Sequence, residues 1–346
     1  MGIDATYSVG KHPTGVGIYS LEILRSLAES HPDQRFRHLY RPHTWRRAAP
    51  AILPNVRRAI FGDRWLLPPT QPSLFHGLNQ RMPALRIRRK VCTFHDLFVM
   101  TGDYSSPEFR RRFTQQAREA AERSDLIIAV SRSTASQVES LLHIEPSRIH
   151  VIHHGIRHLP LPGFARENII LNVGAIQHRK NITRLVRAFE RLGREGTCVD
   201  WRLILAGAAD GYGAAEALAT IAQSPARDRI QVTGYLSTTA LSELYARASV
   251  FAFPSLDEGF GMPVLEAMAS GLAVVASDRS ALPEVCGDAA LLVNPESDDA
   301  VAEALRQLTD SQDLREKMVA LGRKRAELFS WEKAASATWE VYQRLL

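Results

Sequence analysis

Glu258-Gly259-Phe260-Gly261-Met262-Pro263, with a second carboxylate at Glu266, joins two acids, two glycines and a proline suited to a helix start. Glycines let a backbone approach a ligand closely, and amides of residues 260–262 at a helix N-terminus can point at a phosphate. Carboxylates cannot bind phosphate themselves, but they accept hydrogen bonds from sugar hydroxyls. Either glutamate alone is accounted for by a tight loop and the helix dipole; together the residues read as a phosphate cradle flanked by two acceptors.

A second segment, Gly174-Ala175-Ile176-Gln177-His178-Arg179-Lys180-Asn181, follows an apolar run, and Asn181 can cap the helix after it. Two cations at a helix entrance are locally unfavourable unless an anion joins them, and a diphosphate would supply it. A solvated basic loop is the plainer alternative. His95, beside Asp96 at a strand end, could hydrogen-bond a sugar hydroxyl or act near a reacting carbon, although a lone histidine is usually structural. Pro13-Thr14-Gly15-Val16-Gly17 is a weak glycine loop without the GxGxxG pattern, so it carries no dinucleotide fingerprint. His150, His153, His154 and His158 cluster in sequence, but strand alternation would put His153 on the opposite face from His150 and His154, which argues against a metal site. No Asp-x-Asp occurs to hold a divalent ion against a diphosphate.

These residues need elements to hold them at strand ends. At 346 residues, 45% apolar and 23% charged, the chain is globular in makeup and larger than one core usually grows. Strands are expected at 2–5, 73–76, 91–95, 125–130 and 149–153, with helices at 18–29, 107–123 and 133–142. After a Gly- and Pro-containing stretch at 155–166 the alternation restarts. Strands at 168–174, 201–206, 229–233, 250–253 and 273–277 alternate with helices at 182–192, 214–222, 238–248 and 264–270. Continuous apolar strands such as 169–173 imply parallel sheets covered on both faces, hence two doubly wound α/β domains with a ligand cleft between them. Residues 298–346 read as helical, interrupted at Phe329-Ser330-Trp331, where Ser330 is a helix cap.

The net charge of +6 is uneven: residues 1–162 hold 23 Lys+Arg against 13 Asp+Glu, and the rest 20 against 24. The first half is thus expected to meet something anionic. No run of 18 apolar residues and no signal-peptide pattern occurs, and three distant cysteines form no metal or disulfide framework, so a cytoplasmic setting is expected.

The residues resemble those of retaining glycosyltransferase family 4, in particular its GDP-mannose-dependent mannosyltransferases. Glu258-Gly-Phe-Gly-Met-Pro-Val-Leu-Glu266 is similar to the family's Glu-x7-Glu element, and Gly174 to Asn181 resembles its phosphate loop in an Arg-Lys-Asn form. The runs 124–131 and 329–331 also look like family segments. The resemblance implies the GT-B fold, two facing Rossmann-like domains with parallel sheets. It divides the chain into an acceptor-binding domain at 1–160, a nucleotide-sugar domain at 161–328 and a C-terminal helix at 329–346 crossing back to the first domain.

It further implies that Arg179 and Lys180 contact the donor diphosphate, Glu266 the ribose, and Glu258 the donor sugar, with Gly174 and residues Gly259, Phe260, Gly261 and Met262 lining the donor. His95 resembles the histidine beside the transferred sugar, and Gly15 and Gly17 the first-domain glycine loop. Ala175 stands where many relatives carry Arg, leaving Arg179 to supply that charge. The expected activity is transfer of a hexosyl unit, mannose from GDP-mannose, to a glycan or polyprenyl-diphosphate-linked acceptor in cell-surface polysaccharide synthesis. No metal or other cofactor is expected.

A UDP-sugar donor is the nearest alternative and a sugar-nucleotide epimerase a more distant one. Arg86, Arg88, Arg89, Lys90 and Arg110 to Arg112 could draw the protein peripherally to the inner face of an anionic membrane, or be an ordinary solvated face. No nucleic-acid module is recognisable, so nucleic acid is not an expected partner.

Overall fold

A computed structural model describes the chain except residues 11–13, 49–52, 158, 160 and 161. Pro13, His158 and the expected domain boundary at 160/161 therefore lie outside the described residues. Contacts divide the chain into a first unit of Met1–Gly102, Pro107–Gly155 and Phe329–Leu346, and a second unit of Asp103–Ser106 and Ile156–Leu328.

The first unit is built on an eight-stranded sheet: β1 Gly2–Asp4, β2 Phe36–Tyr40, β3 Val56–Phe61, β4 Leu66–Leu67, β5 Phe75–Gly77, β6 Lys90–Phe94, β7 Leu126–Ala129 and β8 Ile149–Val151. Its order is β4-β3-β2-β1-β5-β6-β7-β8, parallel throughout except for the β3–β4 pair. Alternation in β5 and β6 sends Phe75, Cys92 and Phe94 into a core closed by Ala117, Ala120 and Val138 of the helices Pro107–Glu122 and Arg132–Leu142. On the unit's other helical layer, Gly15–Ser30 packs against Trp331–Gln343. Ser330 caps the latter, its hydroxyl accepting from the Lys333 amide.

The second unit holds six parallel strands: β9 Ile169–Val173, β10 Arg202–Ala206, β11 Ile230–Gly234, β12 Val250–Phe253, β13 Ala273–Ser277 and β14 Leu291–Val293, in the order β11-β10-β9-β12-β13-β14. Strands β12 and β13 are buried at every position, as their unbroken apolar runs require. Helix Ile182–Arg194 turns Ile182, Leu185, Val186, Phe189 and Leu192 inward at helical spacing.

Both orders reverse direction once in the doubly wound manner, between β1 and β5 in the first unit and between β9 and β12 in the second. The carboxyl ends flanking such a reversal form the crevice where ligands bind in this architecture.

Four sequence expectations change. The first helix begins at Gly15, not residue 18, because Thr14 caps it. Strands β2, β3, β4 and β14 were not anticipated. Asn181 occupies the N-cap position but makes no side-chain cap; its amide donates instead to the Pro254 and Pro295 carbonyls at 3.0 and 2.6 Å. Strand β8 stops at Val151, so alternation does not sort His153 from His154.

Candidate active site

The β9–β12 reversal brings together two segments whose contacting residues are 78 apart in sequence. The loop after β9 carries Gly174 and ends in the turn His178–Lys180; the loop after β12 carries Glu258 and enters the helix Met262–Ala269. Arg179, Lys180 and Glu258 are all buried. The Lys180 ammonium donates to Glu258 Oε1 at 2.6 Å, and the Arg179 guanidinium stands 2.9 Å from Oε2. Arg179 also donates to the Asp257 carbonyl at 2.5 Å, and Lys180 Nζ lies 4.5 Å from the Phe253 ring centroid.

Burial alone would raise the Glu258 pKa, but the two cations more than offset it and hold the carboxyl down at about 2. The anion that two cations at a helix entrance require is thus supplied by Glu258 itself. The cluster, with Asp257 buried in the same loop, lies in a loop system that ends in a helix N-terminus, where anions are favoured.

Backbone geometry brings these groups close. Gly261, at φ +99°, is the N-cap of Met262–Ala269, a left-handed position that glycine adopts without strain. The Gly174 amide donates to the Ala206 carbonyl at 2.9 Å. A Cβ on Gly207, just past β10, would collide with the Gly174 carbonyl oxygen, so glycine there lets one loop lie on the other. Gly259 and Phe260 are buried within the turn, and Met262 is half-buried at the first helical position.

Glu266 keeps different company. Its Oε1 stands 3.4 Å from the Arg157 guanidinium, and the Tyr245 hydroxyl donates to Oε2 at 3.2 Å. Burial raises its pKa, with Arg157 and Tyr245 acting against that rise. A carboxylate with both oxygens engaged retains lone pairs for two further donors, as a ribose diol would provide.

The first unit carries the remaining candidates at the carboxyl edge of its own sheet. Gly15 and Gly17 belong to the first turn of a helix rather than to a loop, and Thr14 Oγ1 accepts from the Gly17 amide at 3.4 Å. His95, one residue past β6, is buried, with Nε2 2.9 Å from the Leu78 carbonyl oxygen. A carbonyl only accepts, so Nε2 carries the proton and Nδ1 is left as an acceptor. Burial pushes the imidazole down to about 4, against the opposing Leu78 bond, so it is neutral at pH 7.

Sequence reasoning did not find Arg157, Tyr245 or Gly207. The run Gly207-Ala-Ala-Asp-Gly211-Tyr-Gly213 after a strand was the one available signal. Nothing in the sequence around Arg157 points to Glu266. Among the described residues, no group of three or more His, Cys, Asp or Glu could hold a metal ion, and no helix is long and apolar enough to cross a membrane.

Two doubly wound units, the second with a cationic, glycine-lined crevice at its strand reversal, define a glycosyltransferase of the GT-B class. The family model for Glycosyltransferase Family 4 matches residues 15–158, and that for Glycosyl transferases group 1 matches residues 161–325. O-antigen chain mannosyltransferase B of Escherichia coli is 30% identical, over 97% of each chain. MMP alpha-(1->4)-mannosyltransferase of Mycolicibacterium hassiacum is 34% identical over 68% of this chain and 57% of its own. Sucrose-phosphate synthase from Thermosynechococcus elongatus shares the fold at a TM-score of 0.77 and 20% identity, covering 99% of this chain and 98% of that one. The glycosyltransferase WaaG does so at 0.71 and 16%, covering 99% of each. The chain belongs to this family of glycosyltransferases.

Proposed function

We propose that the protein is a retaining mannosyltransferase, moving mannose from GDP-mannose to a glycan or polyprenyl-diphosphate-linked acceptor in cell-surface polysaccharide synthesis. The buried cluster of Arg179, Lys180 and Glu258 beside the Met262–Ala269 N-terminus carries the reading. The mannosyl specificity is supported by relatives that bear that activity in their names.

In the proposed reaction the bond from the anomeric carbon to the diphosphate oxygen breaks, and its electron pair leaves with the diphosphate. Arg179, Lys180 and the amides of residues 260–262 take up the growing negative charge. The acceptor hydroxyl oxygen bonds to the same face of the sugar, and its proton passes to the departing phosphate oxygen. Glu258 orients the two cations and offers its remaining lone pairs to a sugar hydroxyl. Glu266 receives the ribose hydroxyls. His95, neutral and with Nδ1 as acceptor, accepts a hydrogen bond from a hydroxyl of the transferred sugar, and Gly15 and Gly17 admit the substrate to the first unit. No metal is needed, since protein cations occupy the place of a diphosphate-bound ion.

The exposed basic residues Arg86, Arg88, Arg111 and Arg112 fit attraction to an anionic membrane or to the diphosphate of a lipid acceptor. Salt-sensitive binding to anionic vesicles tests that part.

The decisive test offers GDP-mannose and several UDP-sugars, with lipid-diphosphate acceptors, and identifies products by mass in excess chelator. The expected result is an acceptor heavier by one hexose from GDP-mannose alone. Transfer from a UDP-sugar only, conversion of the donor without acceptor, or activity that returns only with manganese would each contradict the corresponding part.

A further inference from the structure

On the face of the first sheet opposite Cys92 and Phe94, polar side chains cross the interior in an unbroken line. The register His76↔Val91 puts His76 of β5 and Thr93 of β6 on one side of the sheet. Tyr19 from the helix Gly15–Ser30 and Tyr342 from the helix Trp331–Gln343 reach them there. The Tyr342 hydroxyl is 2.5 Å from His76 Nδ1, His76 Nε2 is 2.8 Å from Thr93 Oγ1, and Thr93 Oγ1 is 3.0 Å from the Tyr19 hydroxyl. All four side chains are buried, none more than 2% exposed.

The line ends against His95. The Tyr19 ring meets the His95 imidazole edge to face, centroids 4.7 Å apart at 78°. His154 leans on both rings at 4.8 and 5.4 Å and stacks on Trp331 at 5.9 Å. On its other side His95 is tied through Nε2 to Leu78, and its carbonyl accepts from the Thr134 hydroxyl at 3.4 Å.

Apolar side chains could fill this volume without needing partners, whereas each buried hydroxyl and ring nitrogen must find one. A neutral imidazole donates from one nitrogen and accepts at the other, so His76 gives the line a direction, and a break at any point leaves a buried polar atom unsatisfied. Burial keeps His76 neutral by pushing it down to about 3. The bond to Thr93 anchors the Tyr19 hydroxyl and so fixes where the ring lies, and that ring is a wall of the His95 site.

We propose that Tyr342 is a positioning residue for His95, acting through His76, Thr93 and Tyr19, so that a helix far along the chain sets the orientation of the imidazole. This rests on the reading of His95 as a sugar contact.

Tyr342→Phe keeps the ring and removes the hydroxyl. It is expected to lower kcat about 10-fold, less than the ~100-fold cost of a full ångström of misplacement, with the KM for nucleotide sugar unchanged. In a His95→Ala background the same substitution should have no further effect, and equal losses in both backgrounds would overturn the proposal. Thr93→Ser should retain turnover and Thr93→Val should repeat the loss, a pair that decides the matter even if Tyr342→Phe does not fold. NMR of isotope-labelled histidines, without substrate, should show the His95 ring signals moved in folded Tyr342→Phe and Thr93→Val protein; unmoved signals refute it. Full turnover in His95→Ala alone would sink the reading of His95 and leave the positioning to be judged by NMR.

Discussion

Lys180 and Arg179 share the Glu258 carboxylate, and they are the cations that a diphosphate would meet. Glu258 stays ionised down to about pH 2, so its pairing is complete at neutral pH and fails only as pH falls through that value. The cluster therefore contributes no acid limb to a rate profile between pH 5 and 8. Lys180→Ala removes one of the two oriented cations and should lower kcat by about 100- to 1000-fold, the scale for losing one stabiliser of a developing oxyanion. Wild-type turnover in a folded Lys180→Ala protein would remove the lysine from the mechanism. The residue types needed here were legible in the sequence, because cations at a helix entrance and glycines before a helix are chemically conspicuous. Their partners were not: Glu258 was read as facing sugar alone, and only folding shows that its oxygens face Arg179 and Lys180.

Elements were legible in proportion to their periodicity. Helix Ile182–Arg194 declares itself by five inward apolar residues, and β12 and β13 by unbroken apolar runs. Strands β2 and β3 were missed because Arg37, His38, Arg57 and Arg58 interrupt their apolar pattern. The glycine loop after β10 carries no cation to mark it as an anion site, yet it backs the loop that bears Lys180. Gly207→Ala drives a methyl into the Gly174 carbonyl. The backbone must move, at a cost of about 1–3 kcal/mol typical of overpacking. The loop bearing Lys180 should shift with it, so calorimetry should find weaker binding of nucleoside diphosphate together with a lower Tm. Unchanged Tm and affinity would show that the two loops do not pack as described.

Across the molecule the two units differ in what acid does to them. The first holds His38, His76, His95 and His154 with pKa values depressed by burial, the first three to about 4, 3 and 4. A histidine kept neutral by folding gains its proton on unfolding, so its contribution is intact above its ordinary pKa near 6.5 and is lost as pH falls from there toward the folded value. Each of the buried rings His76, His95 and His154 removes about 1.4 kcal/mol per pH unit across that window. Trp45, Trp65, Trp331 and Trp339 all lie in the first unit, so urea unfolding of Trp201→Phe protein by fluorescence reports on that unit. Its midpoint should fall steadily between pH 6.5 and 4.5; a flat midpoint would mean that these rings are not neutral and buried. The most direct test of the donor site is a crystal structure of the protein with bound GDP. The pyrophosphate is expected against Arg179, Lys180 and the amides of residues 260–262 in the second unit, and a pyrophosphate bound elsewhere would contradict the proposed role of these residues.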